Sequence, residues 1–252
     1  MVDLFDEVEE QLRSDRYRTL ALRALPWVIG ITAIALAATI GWWAWKNHQD
    51  KTAFQSSDQY AAAMEAYANH DETRAFGMFA DLAKNGTPVY KSMALMQQGG
   101  LRLEANDTAQ AVKYFDESAA TAPDPVLGDL ARLKSALALL DTAPYAELEK
   151  RLTPLAKDGA PYRMEAKEAL AMAKLLAGKT ADARGDFAVL SLSPDSSDAQ
   201  RDRARLAMDM IDAGSAKSIP EMVKAAATLP PPMPNQTGGQ PQAQTAQPGA
   251  AQ

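Results

Sequence analysis

The chain has 252 residues, no cysteine and a formal net charge of −6. Without cysteine it can form no disulfide and carry out no thiolate chemistry, and an acidic chain that has no basic stripe does not favour nucleic acid as a partner. Residues 50–228 are numerous enough to form one domain with a sizeable core.

Residues 1–23 form a segment in which acidic and basic side chains alternate. Leu4, Phe5, Val8 and Leu12 recur on one helical face. The pattern fits a short cytoplasmic helix, and it equally fits a solvated tail whose charges set the membrane topology.

Residues 24–45 carry no charge, and all four tryptophans lie at the two ends of this stretch: Trp27, Trp42, Trp43 and Trp45. A helix of this length spans about 33 Å, close to the thickness of a bilayer core, and indole rings favour the headgroup level. The stretch predicts one transmembrane helix with Pro26 in its first turn. A cleaved signal peptide would have a shorter apolar core and a small-residue cleavage site.

The orientation of the predicted span in the membrane follows from the basic residues that flank it. Four arginines precede the span, whereas Lys46 and Lys51 follow it closely. Basic flanks tend to stay cytoplasmic, so we expect a cytoplasmic N-terminus and a periplasmic C-terminal domain in a bacterial inner membrane.

Small residues form a stripe along the predicted span, at Ala33, Ala37 and Gly41. Such a stripe permits close helix–helix approach in lipid and is a candidate interface for another span. Alanine is also a common filler of bacterial spans, and that alternative remains open.

Residues 46–228 repeat themselves with a period near 36. Small and large residues recur four positions apart, and Gly or Pro separates the units. This period predicts about four stacked helical hairpins, with the second helix of each hairpin packed through its small residue. The pairs are Ala75/Phe79, Ala111/Phe115, Leu148/Leu152 and Ala183/Phe187.

The second unit resembles a tetratricopeptide repeat, because its small, small, aromatic and proline positions are Gly99, Ala111, Phe115 and Pro123. Leu95 stands where that repeat usually has tryptophan. The predicted fold class is therefore all-α, with a single N-terminal transmembrane helix followed by a tetratricopeptide-like solenoid. Residues 229–252, rich in Pro and Gln, predict a disordered tail.

Catalytic and metal-binding patterns do not stand out in the sequence. The two histidines are His48, at the predicted membrane edge, and His70, beside a turn. A zinc site needs more ligands, and charges such as those at 198–209 are typical of a solvated helix face. We expect no enzyme activity, no cofactor and no small-molecule substrate.

The layout as a whole resembles the YfgM-like ancillary subunits of the bacterial Sec translocon. The resemblance rests on the acidic residues 3–10, the arginine-rich stretch, the span that ends at Gly41-Trp42, and the degenerate repeats. It implies periplasmic repeats, association with the SecYEG channel and contact with periplasmic chaperones. The alternatives are an envelope scaffold that coordinates cell division or outer-membrane assembly and, less favoured, an anchored hydrolase.

The first helices of the predicted hairpins, at 54–69, 89–104, 126–141 and 162–177, would line the concave face of such a stack. Their polar positions carry an excess of bases. The sequence therefore predicts a partner groove at Lys91, Arg132 and Lys167, although ordinary exposed charges would look the same.

Overall fold

A computed structural model describes the backbone of residues 3–227 and the side chains of residues 25–27 and 29–225. All of the regular secondary structure in the described residues is helical, which confirms the predicted all-α class. The predicted tail at 229–252 lies outside the described residues. A short 3-10 helix, Ser215–Ser218, precedes the last α-helix. The α-helices are α1 (Asp3–Ala68), α2 (Glu72–Asn85), α3 (Pro88–Glu104), α4 (Thr108–Thr121), α5 (Pro125–Ala138), α6 (Tyr145–Leu152), α7 (Arg163–Leu176), α8 (Thr180–Leu192), α9 (Asp198–Asp212) and α10 (Ile219–Ala227).

Helix α1 runs without interruption through both predicted boundaries of the span. Pro26 therefore lies inside a helix, whereas the sequence had suggested that it lies in the first turn of one. A proline within a helix removes one hydrogen bond to the carbonyl four residues earlier, and here the helix continues on both sides of it. The same helix carries the apolar stretch and then forms the first half of the first hairpin.

Backbone contacts divide the chain into two units, residues 1–95 and 96–252. In the first unit the end of α1 packs on α2, and Ala63 and Phe79 are buried there. The Tyr60 ring lies 5.8 Å from the ring of Phe79, and the Ser56 hydroxyl accepts a 3.3 Å hydrogen bond from the Thr87 amide.

The second unit holds two neighbouring hydrophobic clusters. One joins α5, α6 and α7 around Leu133, Leu148 and Leu152. The other joins α7, α8 and α9 around Leu175 and Phe187. Each cluster takes side chains from successive hairpins, so no hairpin completes its core alone.

The turns inside the hairpins repeat every 36 residues. His70, Asn106 and Gly178 adopt the left-handed conformation, with φ of 62°, 58° and 75°. Asp71 and Asp107 follow the first two, and their carboxylates accept hydrogen bonds from the amides of the first turns of α2 and α4. Because His and Asn enter this conformation more readily than most residues, His70 is explained as a turn residue.

Close approach of helices rests on the small residues of the repeat. Gly99 is buried, and a Cβ added to it would lie 2.5 Å from Cε1 of Phe115. Of the predicted packing residues, Pro123 alone is exposed; it lies in the turn that ends α4. The others are buried: Ala75, Phe79, Ala111, Phe115, Ala183 and Phe187.

The third hairpin departs from this pattern in three ways. Six residues, 139–144, join α5 to α6, whereas three residues join the helices of the other hairpins. Leu148 stands at the position where α2, α4 and α8 have alanine, and α6 is only 8 residues long. The backbone of α6 accordingly approaches α5 less extensively than α8 approaches α7.

The contact between Gly99 and Phe115 provides a stability test. Phe115→Ala is expected to lower the free energy of unfolding by about 3–5 kcal/mol, because it leaves a cavity in the core. Gly99→Ala is expected to lower it by about 1–3 kcal/mol, since the added methyl group would overlap the ring of Phe115. Urea unfolding of the full chain in detergent measures both changes.

Gly100 provides the matched control, because a Cβ added to it would meet nothing within 4 Å. Gly100→Ala is expected to raise the free energy of unfolding by roughly 0.5–1 kcal/mol. In the double variant, Gly99→Ala should lower the free energy of unfolding by less than it does alone, because Phe115→Ala has removed the ring that the added methyl group would overlap. Equal effects of alanine at positions 99 and 100 would contradict the packing described here.

Candidate interaction surfaces

The apolar part of α1 is exposed along its length. The part of the chain that the structure describes contains one helix long and apolar enough to cross a membrane, with a mean hydropathy of 1.7, and none of its apolar window is buried. The four predicted anchors, Trp27, Trp42, Trp43 and Trp45, are 59–75% exposed. The Lys46 ammonium lies 5.2 Å from the centre of a Trp42 ring, a cation–π contact at the end of the apolar stretch.

The predicted small-residue stripe lies on this exposed stretch. Ala33, Ala37 and Gly41 are exposed, and a Cβ on Gly41 would meet nothing within 4 Å. Within the described residues, no other helix is packed against the stripe.

Helix α7 has four distinct faces, which determine what each of its side chains can contact. Ala166, Ala169 and Ala173 face the cluster with α5 and α6, and Ala171 and Leu175 face the cluster with α8 and α9. The two faces that remain lie on opposite sides of the helix, because positions 165 and 167 are about 200° apart at 3.6 residues per turn.

One of these faces continues onto α9. The Arg203 guanidinium donates two hydrogen bonds to the Glu168 carboxylate, at 2.6 and 2.9 Å, and thereby ties α9 to α7. Along the same side of α9, Leu206 and Met210 are 60% and 37% exposed. We call this surface the α7/α9 face and define it by Glu165, Glu168 and Met172 of α7 with Arg203, Leu206 and Met210 of α9.

The opposite face of α7 lies at the bottom of a trough between the second helices α6 and α8. The trough has a volume of about 320 Å³ and includes Lys167, Leu170 and Lys174 of α7. We call it the α6–α8 trough; its other walls include Glu149 and Ala156 on one side and Asp186 and Val189 on the other.

Two of the three basic residues of the predicted partner groove, Arg132 and Lys167, therefore lie in clefts and not on the face of the first helices. Lys167 lines the α6–α8 trough, and Arg132 lines a cleft between α4 and α6, where it donates a 2.7 Å hydrogen bond to Asp129. Both clefts are walled by second helices, whereas the prediction placed these bases on the face of the first helices. Lys91, half-buried on α3, belongs to the other unit.

A polar position can lie on either of two accessible faces of a first helix, so spacing alone does not assign these residues to the concave face, and the partner groove at Lys91, Arg132 and Lys167 stays a prediction. The residues that it missed are Leu206 and Met210, since the charges at 198–209 suggested only a solvated face. The spacing is the signal that could have identified them. Leu206 and Met210 follow Arg203 by three and seven residues, which places all three on the same side of α9.

Three clefts surround α6. Besides the two described above, a cleft of about 470 Å³ lies between the loop at 139–144, the end of α7 and α10. A helix of 8 residues cannot fill the space between neighbours of 13 and 14 residues, so these clefts follow from the short α6 and from Leu148.

Polar groups in and beside the α6–α8 trough are mostly paired. The Tyr145 hydroxyl donates to Glu149 at 2.8 Å, and the Lys174 ammonium donates to Asp186 at 2.6 Å. The Thr153 hydroxyl donates to the Glu149 carbonyl. In the part of the chain described by the structure, no group of three or more His, Asp or Glu residues is close enough to hold a metal ion.

A family model described as a tetratricopeptide repeat-like domain matches residues 25–201, more than half of the chain. It confirms the tetratricopeptide-like part of the predicted resemblance. No match was found among curated proteins or among solved structures.

Tyr145 provides a test of the trough geometry. Burial raises the pKa of Tyr145 to about 12, and its hydrogen bond to Glu149 adds to the effect. Glu149→Gln is expected to lower this pKa toward the ordinary value, about 10, without reaching it, because burial remains. A pH titration followed by NMR of labelled tyrosine measures the change. Glu147→Gln is the control, since Glu147 bonds Arg151 and not Tyr145; equal shifts in both variants would contradict the assignment.

Proposed function

The chain belongs to the tetratricopeptide repeat-like domain family, and we propose that it works as a membrane-anchored adaptor whose repeats bind partner proteins. The observation that carries the proposal is the continuity of α1. Its apolar stretch is exposed, whereas Ala63 and Ala66 of the same helix are buried in the first hairpin. Anchor and first repeat thus share one helix, and the 18 residue steps from Trp45 to Ala63 span about 27 Å.

Tetratricopeptide-like domains imply protein partners, and such domains are typically interaction scaffolds without catalytic activity. The α7/α9 face supports a partner with apolar side chains. Leu206 and Met210 expose apolar surface there, and methionine adapts to ligands of different shape. A surface of this kind suits segments of an incompletely folded chain better than the basic groove that the sequence had suggested.

Within this proposal, the finer assignment follows the resemblance of the layout to ancillary translocon subunits. The span would lie in a bacterial inner membrane beside the SecYEG channel, with the repeats in the periplasm. There they would meet emerging chains and periplasmic chaperones. Tethering would raise the local concentration of such weakly bound partners without any additional contact. The family match begins at residue 25 and so covers both the span and the repeats, which supports an anchor that belongs to the same family domain as the repeats.

The orientation can be tested with single cysteines, because the natural chain has none. Glu9→Cys and Lys134→Cys would be exposed separately to a membrane-impermeant maleimide in intact spheroplasts. We expect the reagent to label position 134 at once and position 9 only after permeabilisation, since the upstream arginines favour a cytoplasmic N-terminus. The reverse pattern would show that the repeats are cytoplasmic and would exclude the periplasmic assignment.

The partner surface can be tested with Leu206→Glu. The probe is a permanently unfolded protein, reduced and carboxymethylated α-lactalbumin, titrated against the full chain in detergent. We expect about tenfold weaker binding, because a charge replaces a central apolar contact.

Leu192→Glu on α8 is the matched control for this experiment. Leu192 is even more exposed, at 83%, but lies outside the α7/α9 face. The Leu192→Glu variant should bind the unfolded probe as the parent does and should have the same thermal stability. If both variants bind as the parent does, the α7/α9 face is not the partner site.

A further inference from the structure

We propose that the α6–α8 trough is a second docking site, for an amphipathic helical segment of a partner protein that presents a carboxylate one turn away from apolar side chains. This site is distinct from the α7/α9 face, because it lies on the opposite side of α7. It would allow the chain to hold two partners at once.

The shape of the trough favours a helix. Its two walls are the neighbouring second helices α6 and α8, and its floor is one face of α7. Lys167, Leu170 and Lys174 lie along that floor at intervals of three and four residues, so the floor extends for about 10 Å. A partner helix can place side chains one turn apart against such a floor.

The middle of the trough is apolar and accessible. Leu170 and Leu190 form its base, and Ala156 lines the α6 side. Val189 stands at the edge and is 62% exposed. An exposed valine beside a partly buried leucine gives apolar side chains of a partner a surface that excludes water on binding.

The two ends of the trough differ in their charged side chains. At one end the Lys174 ammonium is paired with Asp186, and the Glu149 carboxylate accepts the hydrogen bond of Tyr145. At the other end Lys167 makes no direct ion pair within the described part of the chain. It acts on Asp158 only from a longer distance, where Arg163 is the main partner.

One ammonium group is therefore left beside an apolar base, and a partner carboxylate would satisfy it. The axial distance from Lys167 to Leu170 is about 4.5 Å. A partner helix matches this spacing when its acidic residue lies three or four positions before an apolar residue, if it runs parallel to α7, or after one, if it runs antiparallel. The lining as a whole is balanced, with Lys167 and Lys174 against Glu149 and Asp186, so the preference for an acidic residue of the partner is confined to the Lys167 end of the trough.

The test uses synthetic helical peptides of about 20 residues, a length at which helices form in water. One peptide carries Glu with Leu at the third and fourth positions both before and after it, and its partner peptide has Gln in place of that Glu. Binding to the full chain in detergent is measured by fluorescence anisotropy. We expect the Glu peptide to bind about fivefold more tightly than the Gln peptide, as for an exposed ion pair.

Variants of the chain then locate the site. Lys167→Gln should weaken binding of the Glu peptide about fivefold and abolish the difference between the two peptides. Lys134→Gln, an exposed base on α5, should preserve that difference. Val189→Glu should weaken binding at least tenfold, whereas Leu192→Glu, three residues further along α8, should not.

Two results would overturn the proposal. One is a Glu peptide whose affinity is unaffected by Val189→Glu; the other is a peptide whose binding is lost in Leu206→Glu, since that peptide would occupy the α7/α9 face. Neither result bears on the adaptor function, which is tested at Leu206 with an unfolded protein as the probe.

Discussion

The distance at which two helices can approach one another governs the rest of this structure. In the second hairpin Gly99 brings α3 against the ring of Phe115, so that one aromatic side chain occupies the space that a Cβ would need. Alanine at 75, 111 and 183 has the same role at the start of each second helix, and all three are fully buried. A methyl group is the largest side chain that these contacts accept without displacement of the backbone.

In the third hairpin a large residue replaces the alanine found at the start of the other second helices. Leu148 occupies the position of those alanines and is itself buried, and the short α6 approaches α5 over less of its backbone than α8 approaches α7. The longer loop and the absence of a left-handed residue at 142 accompany this change. The clefts on either side of α6 are a direct consequence. A leucine that maintains the core thus also opens the surface.

The sequence predicts the fold well because the repeat depends on local spacing. Small and large residues four positions apart locate the second helices, and turns such as Asn106-Asp107 are visible in the sequence. The continuity of α1 could not be predicted in this way, since the tryptophans and Lys46 mark the end of an apolar stretch and not the end of a helix. The surroundings of the predicted groove residues could not be derived for a related reason: spacing shows which residues share a face, but which of two accessible faces becomes a cleft depends on the neighbouring helices.

The two accessible faces of α7 differ in how their charges are compensated, and this difference determines what each can bind. On the α7/α9 face Glu168 and Arg203 neutralise one another through two hydrogen bonds, Glu165 is exposed, and Leu206 and Met210 supply the apolar area. A partner there is selected by apolar area, which discriminates weakly between sequences. In the α6–α8 trough Lys167, which makes no direct ion pair in the described part of the chain, adds the proposed requirement for charge at a fixed spacing. Since the two faces lie on opposite sides of one helix, a broadly selective site and a more specific one can be occupied together, as an adaptor requires.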